Sequence, residues 1–248
     1  MIEVVDVYKG FNSHEVLRGV NLKVDEGQTL ALIGGSGKGK SVLLKLIIGL
    51  AKPDRGKILI NDQDISRLKG KSLKQLKERC GMVFQGGALF DSLTVFDNIA
   101  FPLREKTRMK ESQIRDTVFA ELGRVGLSGA EQKYPAEISG GMKKRVALAR
   151  CLVMKPEIVL FDEPTTGLDP LIGKAIHKLI RDCQKSLRFT AIMVTHEIPA
   201  IFSLVDRVAM LYNGKIIASG TPDEIEHSQD PVIYQFVHGE LVGPISIQ

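Results

Sequence analysis

The stretch that decides the fold reads Gly34-Gly35-Ser36-Gly37-Lys38-Gly39-Lys40-Ser41, which fits the pattern Gly-x-x-x-x-Gly-Lys-Ser of a phosphate-binding P-loop. Residues 29–33 before it predict a buried strand, and residues 42–50 after it predict an apolar helix. In such a strand–loop–helix, backbone N–H groups and the positive end of the helix dipole bind phosphate oxygens. We therefore expect a nucleoside triphosphate here, with Lys40 at its β- and γ-phosphates and the Ser41 hydroxyl on Mg²⁺. The predicted nucleotide-binding residues of this segment are Gly34, Gly35, Ser36, Gly37, Lys38, Gly39, Lys40, Ser41 and Val42.

Two carboxylates, Asp162 and Glu163, end the apolar run 158–161 in the Walker B pattern. The carboxyl end of a strand is where α/β sheets place the groups that contact ligands. Because a P-loop lies in the same chain, we expect Asp162 to hold Mg²⁺ and Glu163 to polarise the attacking water of ATP hydrolysis. The alternative is a solvated strand end with no role in chemistry.

Four further motifs occur in a characteristic order along the chain. They are Gln85 after the strand-like residues 82–84, Ile138-Ser139-Gly140-Gly141-Met142 before a basic helix, Gly167-Leu168-Asp169, and His196 at the end of the apolar run 191–195. In this order they resemble the Q-loop, signature, D-loop and switch histidine of ATP-binding-cassette (ABC) ATPases. Phe11 stands where those proteins have the aromatic residue that stacks on adenine, and Tyr8 competes with it for that role.

The resemblance implies a fold and its division. The fold is an α/β P-loop NTPase of the ABC-ATPase type, with a RecA-like core, an antiparallel β-subdomain and an inserted α-helical subdomain. We expect a nucleotide-binding domain at residues 1–222, with the helical subdomain at about 86–150, and a C-terminal docking tail at residues 223–248. Lys38 departs from the small residue usual at its position, so that its side chain either adds charge near the phosphates or points to solvent.

The resemblance also implies residue roles in a homodimer. Two chains would pair head to tail, with two ATP molecules at the interface. The loop of Ser139, Gly140 and Gly141 would cap the γ-phosphate held by the P-loop of the other chain. His196 would contact the γ-phosphate, and Gln85 would respond to Mg²⁺ and the γ-phosphate. Asp169 of the D-loop is the last predicted nucleotide-site residue. Without the resemblance, His196 reads as an ordinary histidine at a strand end.

Composition sets limits on the function. The 248 residues, 44% of them hydrophobic, suffice for one core with an inserted subdomain. No apolar run approaches the ~18 residues of a membrane span, and the first residues do not form a signal peptide. Three scattered cysteines argue against a disulfide framework or zinc and favour a reducing cytoplasm. The basic segments 67–79 and 104–115 also contain acidic residues, so we interpret them as solvated helical faces and expect no nucleic-acid partner.

Two function classes remain: the energy-coupling subunit of a membrane transporter, and a soluble cassette ATPase acting on nucleic acid or the ribosome. The resemblance associates coiled coils or zinc modules with members that act on DNA and two cassettes with ribosomal members, and the chain has no heptad array, no paired cysteines and one cassette. Transport is therefore favoured. Since the chain contains no span, a separate permease must form the pore, and the chain would lie on the cytoplasmic face of the inner membrane.

Several segments resemble the ATPase of Mce/Mla-type phospholipid transporters. They are residues 33–37 and 41–44, residues 86–99 after Gln85, the tail motif Gln235-Phe236-Val237-His238-Gly239 followed by Gly243-Pro244, and Met142 in place of the usual glutamine. The resemblance implies phospholipid transport between membranes, an Mce-domain substrate-binding subunit and, in some lineages, a small accessory subunit. The alternative is the ATPase of a polar amino-acid importer, which generally keeps glutamine at the position of Met142.

An apolar cluster after Gln85 suggests where a permease binds. Phe90, Leu93, Val95 and Phe96 are unusually apolar for a segment between the core and the helical subdomain. We expect some of them to line a groove that receives a short permease helix. The alternative is that all four pack under the helical subdomain.

Overall fold

The computed structural model describes residues 1–12 and 14–246. The chain divides into two compact units, one formed by Met1–Glu78 with Thr190–Gln248 and the other by Arg79–Phe189. The first part of unit 1 contains β1 (Ile2–Phe11), β2 (His14–Val24), β3 (Thr29–Ile33), α1 (Lys40–Ile47), β4 (Arg55–Ile60), β5 (Gln63–Asp64), a 3₁₀ turn (Ile65–Arg67) and α2 (Gly70–Glu78).

Unit 2 follows without interruption. It contains β6 (Cys80–Val83), α3 (Val95–Lys106), α4 (Glu111–Arg124), a 3₁₀ turn (Pro135–Glu137), α5 (Gly140–Leu152), β7 (Ile158–Asp162) and α6 (Pro170–Leu187). The chain then returns to unit 1 with β8 (Thr190–Val194), a 3₁₀ helix (Ala200–Leu204), β9 (Arg207–Tyr212), β10 (Lys215–Gly220), α7 (Pro222–Glu226) and α8 (Pro231–His238).

Unit 1 holds the strand that leads into the P-loop. Strand β3 lies between β8 and β9, parallel to both, and every residue of β3 and β8 is buried. A central parallel strand is covered on both faces, which is why it reads as a continuous apolar run. Strands β2, β1, β4 and β5 form an antiparallel sheet in that order. The predicted α/β class and antiparallel β-subdomain are therefore confirmed.

Strands β9 and β10 form an antiparallel hairpin. Asn213 and Gly214 connect them with φ angles of 47° and 78°. Positive φ at both central residues is the geometry of a type I′ turn, whose twist matches that of the flanking strands. Helices α7 and α8 follow, and α8 buries Ile233, Gln235 and Val237. Residues 247 and 248 of the expected tail lie outside the described residues, and its boundary at residue 222 stays a prediction.

Unit 2 is mainly helical. Strands β6 and β7 pair in parallel, and α5 packs against β6, α3, α4 and α6. The apolar core residues of α5 are Val146, Ala147, Leu148, Ala149 and Leu152. Helix α3 begins at a hydrogen bond from the Asp97 N–H to the Thr94 side chain, which satisfies one of the N–H groups left open at a helix start.

Candidate functional site

The P-loop needs glycine at two positions, where a side chain would collide with two different strands. Gly34 has φ of 142°, and a Cβ there would collide with the carbonyl oxygen of Leu211. Gly39 has φ of 103°, and a Cβ there would lie 2.8 Å from Cγ1 of Val16. A larger residue at either position would clash with β9 or β2 and push the loop away from that strand. The positive φ angles at both positions also disfavour any residue with a side chain. The P-loop is thereby held close to the strands beneath it.

Helix α1 starts at Lys40, two residues before the predicted start at Val42. Gly39 in the left-handed region precedes the helix, and its carbonyl accepts from the Leu43 N–H at 2.9 Å. The predicted end at Leu50 is also corrected, because Gly49 with φ of 70° terminates the helical conformation. The helix start therefore lies directly at the lysine and serine expected to meet phosphate.

Lys40 places its charge inside the loop. Its Nζ donates to the carbonyl oxygens of Gly34 at 2.7 Å and Gly35 at 2.9 Å, and only 5% of the residue is exposed. A buried ammonium needs acceptors or a counter-charge. Carbonyl oxygens are neutral acceptors, and phosphate oxygens would bind the ammonium more strongly because the hydrogen bond is then charge-assisted. The geometry thus fits an anion in the loop.

His196 and the P-loop line one cavity of unit 1. Its volume is about 460 Å³, and the loop side is formed by Gly34, Gly35 and Ser36. Residues 236–239 at the end of α8 line the same cavity. The exposed His196 lies two residues after β8, which covers Thr190–Val194 and not the predicted residues 191–195. Sequence reasoning did not place the C-terminal helix beside these residues.

Lys38 and Phe11 lie away from that cavity. Exposed Lys38 lines a separate cleft of about 170 Å³ with Gly37 and the β2 residues His14 and Val16. Phe11 ends β1, is 50% exposed and lies under the Lys9 ammonium, 5.4 Å from the ring centroid. An exposed aromatic face is available for stacking. The roles of both residues stay predictions.

The Walker B residues end β7 in unit 2. Asp162 and Glu163 are both half-buried. Glu163 has φ of 50°, a conformation that few residues other than glycine adopt. Its Oε2 accepts a hydrogen bond from the Thr166 hydroxyl at 3.0 Å. Sequence reasoning missed Thr166, although its position three residues after Glu163 is compatible with a turn that returns to the carboxylate.

The signature loop and the D-loop line one cavity of unit 2. Ser139, Gly140, Gly141 and Asp169 all line this cavity, whose volume is about 700 Å³. The Ser139 hydroxyl accepts from the Met142 N–H at 3.3 Å and so begins α5. Asp169 begins α6 by accepting from two N–H groups. Both predicted residues therefore also act as helix caps.

Gln85 lies at the end of the exposed segment after β6. Its backbone carbonyl accepts a hydrogen bond from the Lys144 ammonium of α5. Burial lowers the pKa of Lys144, and the negative charge of Glu163 acts in the opposite direction. The predicted strand at residues 82–84 in fact covers Cys80–Val83, and Phe84 is exposed. Sequence reasoning gave no sign of the Lys144 contact, because lysine on a helix usually points to solvent.

The cysteines form no disulfide. Cys80, Cys151 and Cys183 are free. Burial raises the pKa of Cys80 and Cys183 to about 11 and that of Cys151 to about 12. Since the thiolate is the reactive form, these thiols are poor nucleophiles at neutral pH.

The family follows from a comparison with known proteins. The family model described as ABC transporter matches residues 17–166, which is more than half of the chain. The chain belongs to the ABC transporter family. It is accordingly an ATPase that couples ATP hydrolysis to transport, and the predicted fold class is confirmed.

Two relatives in the ABC transporter family align with nearly the whole chain. One from Mycobacterium leprae, named a probable ribonucleotide transport ATP-binding protein mkl, is 44% identical over 99% of this chain and 71% of its own length. Another from Haemophilus influenzae, named an intermembrane phospholipid transport system ATP-binding protein MlaF, is 41% identical over 99% of this chain and 93% of its own length. Their names specify different substrates, and neither names amino-acid import.

A solved ABC cassette shows the same fold. The dimeric ATP-binding cassette MJ0796, in a post-hydrolysis state bound to ADP and Pi, has a TM-score of 0.81 and 30% identity to this chain. The similarity covers 90% of this chain and 99% of that one. Within residues 1–12 and 14–246, no helix combines the length and apolar character needed to cross a membrane.

Proposed function

We propose that this chain is the ATPase subunit of an ABC system that moves phospholipid between membranes through a separate permease. The observation that carries the substrate class is the alignment with the Haemophilus phospholipid transport protein, which extends over 93% of that protein's length. The alignment includes the region of the tail motif 235–239, which independently resembles Mce/Mla-type ATPases. The polar amino-acid importer is not favoured, since neither relative described above carries such a name.

Nucleotide binding would use the P-loop and the exposed ring of Phe11. Backbone N–H groups of residues 34–42 would contact the phosphates, with the Lys40 ammonium moving from the Gly34 and Gly35 carbonyls to the β- and γ-phosphates. Ser139, Gly140, Gly141 and Asp169 would contact the nucleotide of the other protomer. By exchanging carbonyl acceptors for phosphate acceptors, the buried Lys40 ammonium keeps hydrogen-bond partners both without and with bound nucleotide.

Mg²⁺ would be held by Ser41, Gln85 and Asp162. These side chains supply oxygen atoms, the ligand type that this hard cation prefers. The described residues contain no group of three or more His, Cys, Asp or Glu suited to a metal ion. That fits a Mg²⁺ site of the P-loop kind, where one carboxylate, a hydroxyl, water and the substrate phosphates complete the coordination. The ion would neutralise charge that develops on the phosphates.

Hydrolysis would depend on Glu163, with His196 at the γ-phosphate and Gln85 relaying the nucleotide state. A carboxylate that accepts a hydrogen bond from the attacking water orients that water for attack on phosphorus. Positioning and charge stabilisation account for most of the rate in phosphoryl transfer.

The partners follow from the same function. We infer a homodimer of this chain, an integral membrane permease, an Mce-domain substrate-binding subunit and a small accessory subunit. The chain would lie on the cytoplasmic face of the inner membrane, because ATP is there. Phe90, with 44% of its surface exposed, would contact the permease, whereas Val95 is fully buried in the unit. No nucleic acid is required.

The hydrolytic role is tested by a pair of variants. Glu163→Gln should retain ATP binding and lose turnover by at least ~10²-fold, as removal of a key acid–base group does. Lys40→Ala should weaken ATP binding itself. ATP affinity by calorimetry and phosphate release are the measurements, and near-parental turnover in Glu163→Gln would exclude that role for Glu163.

The substrate is tested with the assembled complex in vesicles. The chain, co-expressed with a permease encoded beside it, should transfer labelled phospholipid between vesicles in an ATP-dependent manner. Glu163→Gln is the control, since it should assemble but not transfer. Stimulation of ATPase by ribonucleotides or polar amino acids, without lipid transfer, would contradict the phospholipid proposal.

A further inference from the structure

A short, largely buried turn carries Glu163. Strand β7 ends at Asp162, and the Thr166 N–H bonds back to the Glu163 carbonyl at 3.4 Å. Pro164 and Thr165 between them are buried, Thr165 with 2% of its surface exposed. Proline fixes its own φ, and burial restricts its neighbour. The turn is therefore a rigid support for the side chains at its two ends.

The two threonine hydroxyls of this turn have different partners. The Thr166 hydroxyl donates to Oε2 of Glu163 at 3.0 Å. The Thr165 hydroxyl lies 3.3 Å from Nε2 of the buried His177 on α6. One hydroxyl thus contacts the carboxylate at the end of β7, and its neighbour ties the turn to a helix. Because the partners differ, removing each hydroxyl in turn separates the effect of holding the Glu163 carboxylate from the effect of tying the turn to α6.

We propose that Thr166 is a positioning residue that holds the Glu163 carboxylate in the orientation needed to direct the attacking water. The inference rests on the proposed function, in which Glu163 polarises that water. A glutamate side chain has several freely rotating bonds, and anchoring one oxygen removes most of its orientations. An ionised carboxylate has about four acceptor positions, and the bond from Thr166 uses only one of them.

The backbone of Glu163 supports the same role. Its φ of 50° is unfavourable for a residue with a side chain. The turn maintains this conformation, which sets the direction in which the side chain leaves the backbone. The Thr166 bond then determines the far end of the side chain. Errors of about 1 Å in the position of a reacting group cost large factors in rate, so both constraints act on turnover.

The test compares isosteric variants. Thr166→Val keeps the branched shape and removes the donor, and we expect kcat to fall about tenfold with KM for ATP changed by no more than about twofold. Thr166→Ser keeps the hydroxyl and should recover most of the turnover. Thr165→Val removes the neighbouring hydroxyl as the matched control, and should lower the melting temperature while leaving kcat close to that of the parent.

A double variant separates this inference from the proposed function. If Thr166 acts through Glu163, then Thr166→Val should cause no further loss in a Glu163→Gln background. Loss of turnover in Glu163→Gln together with parental or raised kcat in Thr166→Val would overturn the inference and leave the function intact. Near-parental turnover in Glu163→Gln would instead overturn both the role of Glu163 and the inference.

Folding is monitored in every variant. Thermal denaturation shows whether Thr166→Val is folded, and Thr166→Ala replaces it in the same comparison if it is not. Equal loss of kcat in Thr165→Val and Thr166→Val would also overturn the inference, because it would show that the turn as a whole, and not the bond to Glu163, sustains turnover.

Discussion

The ammonium of Lys144 donates a hydrogen bond to the backbone carbonyl of Gln85, which ties helix α5 to the segment that follows β6. Only 8% of Lys144 is exposed. A buried ammonium without an acceptor would be costly, so the fold keeps the Gln85 carbonyl within reach of Lys144. The contact therefore restricts the backbone at Gln85.

Lys144→Met should loosen that segment. Methionine fills a similar volume but removes the donor to the Gln85 carbonyl, and because Gln85 is exposed and can bond water instead, this should cost only about 0.5–1.5 kcal/mol of folding free energy. Amide hydrogen exchange at residues 84–88 should become faster, while exchange in β3 stays unchanged. Lys144→Arg, which keeps a donor, is the control. Equal protection in the Met variant and the parent would show that the contact does not restrict the segment.

Two defective chains should complement each other if each ATP site is composite. Lys40→Ala chains keep Ser139, and Ser139→Arg chains keep Lys40. A heterodimer therefore contains one intact site, whereas each homodimer contains none. An equal mixture should recover about a quarter of the parent's intact sites by random pairing. ATPase activity of the mixture, compared with that of each variant alone, measures this. A mixture no more active than its components would argue against shared sites.

A charge at Phe90 should separate the chain from its permease. Phe90 contacts Phe101 with ring centroids 4.9 Å apart, and its exposed face is compatible with an apolar partner helix. Phe90→Glu should abolish co-purification with the permease from detergent and leave ATP affinity unchanged. Ile217, which is 39% exposed on β10 and does not belong to the apolar cluster after Gln85, offers a control.

The outcomes of that comparison are distinct. Ile217→Glu should retain the permease. Retention of the complex by Phe90→Glu as well would exclude Phe90 from the permease surface. Loss of ATP binding in Phe90→Glu would show that the residue serves the fold, which is the alternative derived from the sequence. Leu93→Glu repeats the test at a half-buried neighbour.

The Arg104 ion pairs should give unit 2 a pH-dependent stability. Arg104 bonds Asp97 at 2.8 Å and holds the pKa of that carboxyl below its usual value, with help from the Thr94 hydroxyl. A carboxyl with a lowered folded-state pKa stabilises the fold above its unfolded pKa of about 3.9, and that contribution disappears as pH falls through the folded value.

Arg104→Met should therefore lower Tm by roughly 2–4 °C at pH 7, a small effect because the pairs are partly exposed. The difference from the parent should shrink below about pH 4. Arg108→Met removes the same charge from the α3–α4 loop without removing a partner of Asp97, and should change Tm less. A difference in Tm that persists at low pH would point to lost packing of the Arg104 side chain.

The sequence by itself determined the family-defining motifs and the elements around them. Strand β3 and the hairpin turn at Asn213-Gly214 were predictable because buried parallel strands and type I′ turns each require particular residue types at adjacent positions. The P-loop was predictable for the same reason, since glycine alone tolerates the backbone angles at Gly34 and Gly39. These are local constraints, and a sequence records local constraints directly.

Only the tertiary structure decided how residues far apart in the chain share a surface. Nothing in the sequence placed residues 236–239 in one cavity with Gly34 and His196, or the Lys144 ammonium on the Gln85 carbonyl. It also did not distinguish exposed Phe90 from buried Val95, because both belong to one apolar segment. Such contacts depend on the packing of separate elements, and the energy that selects them comes from surfaces that meet only after the chain has folded.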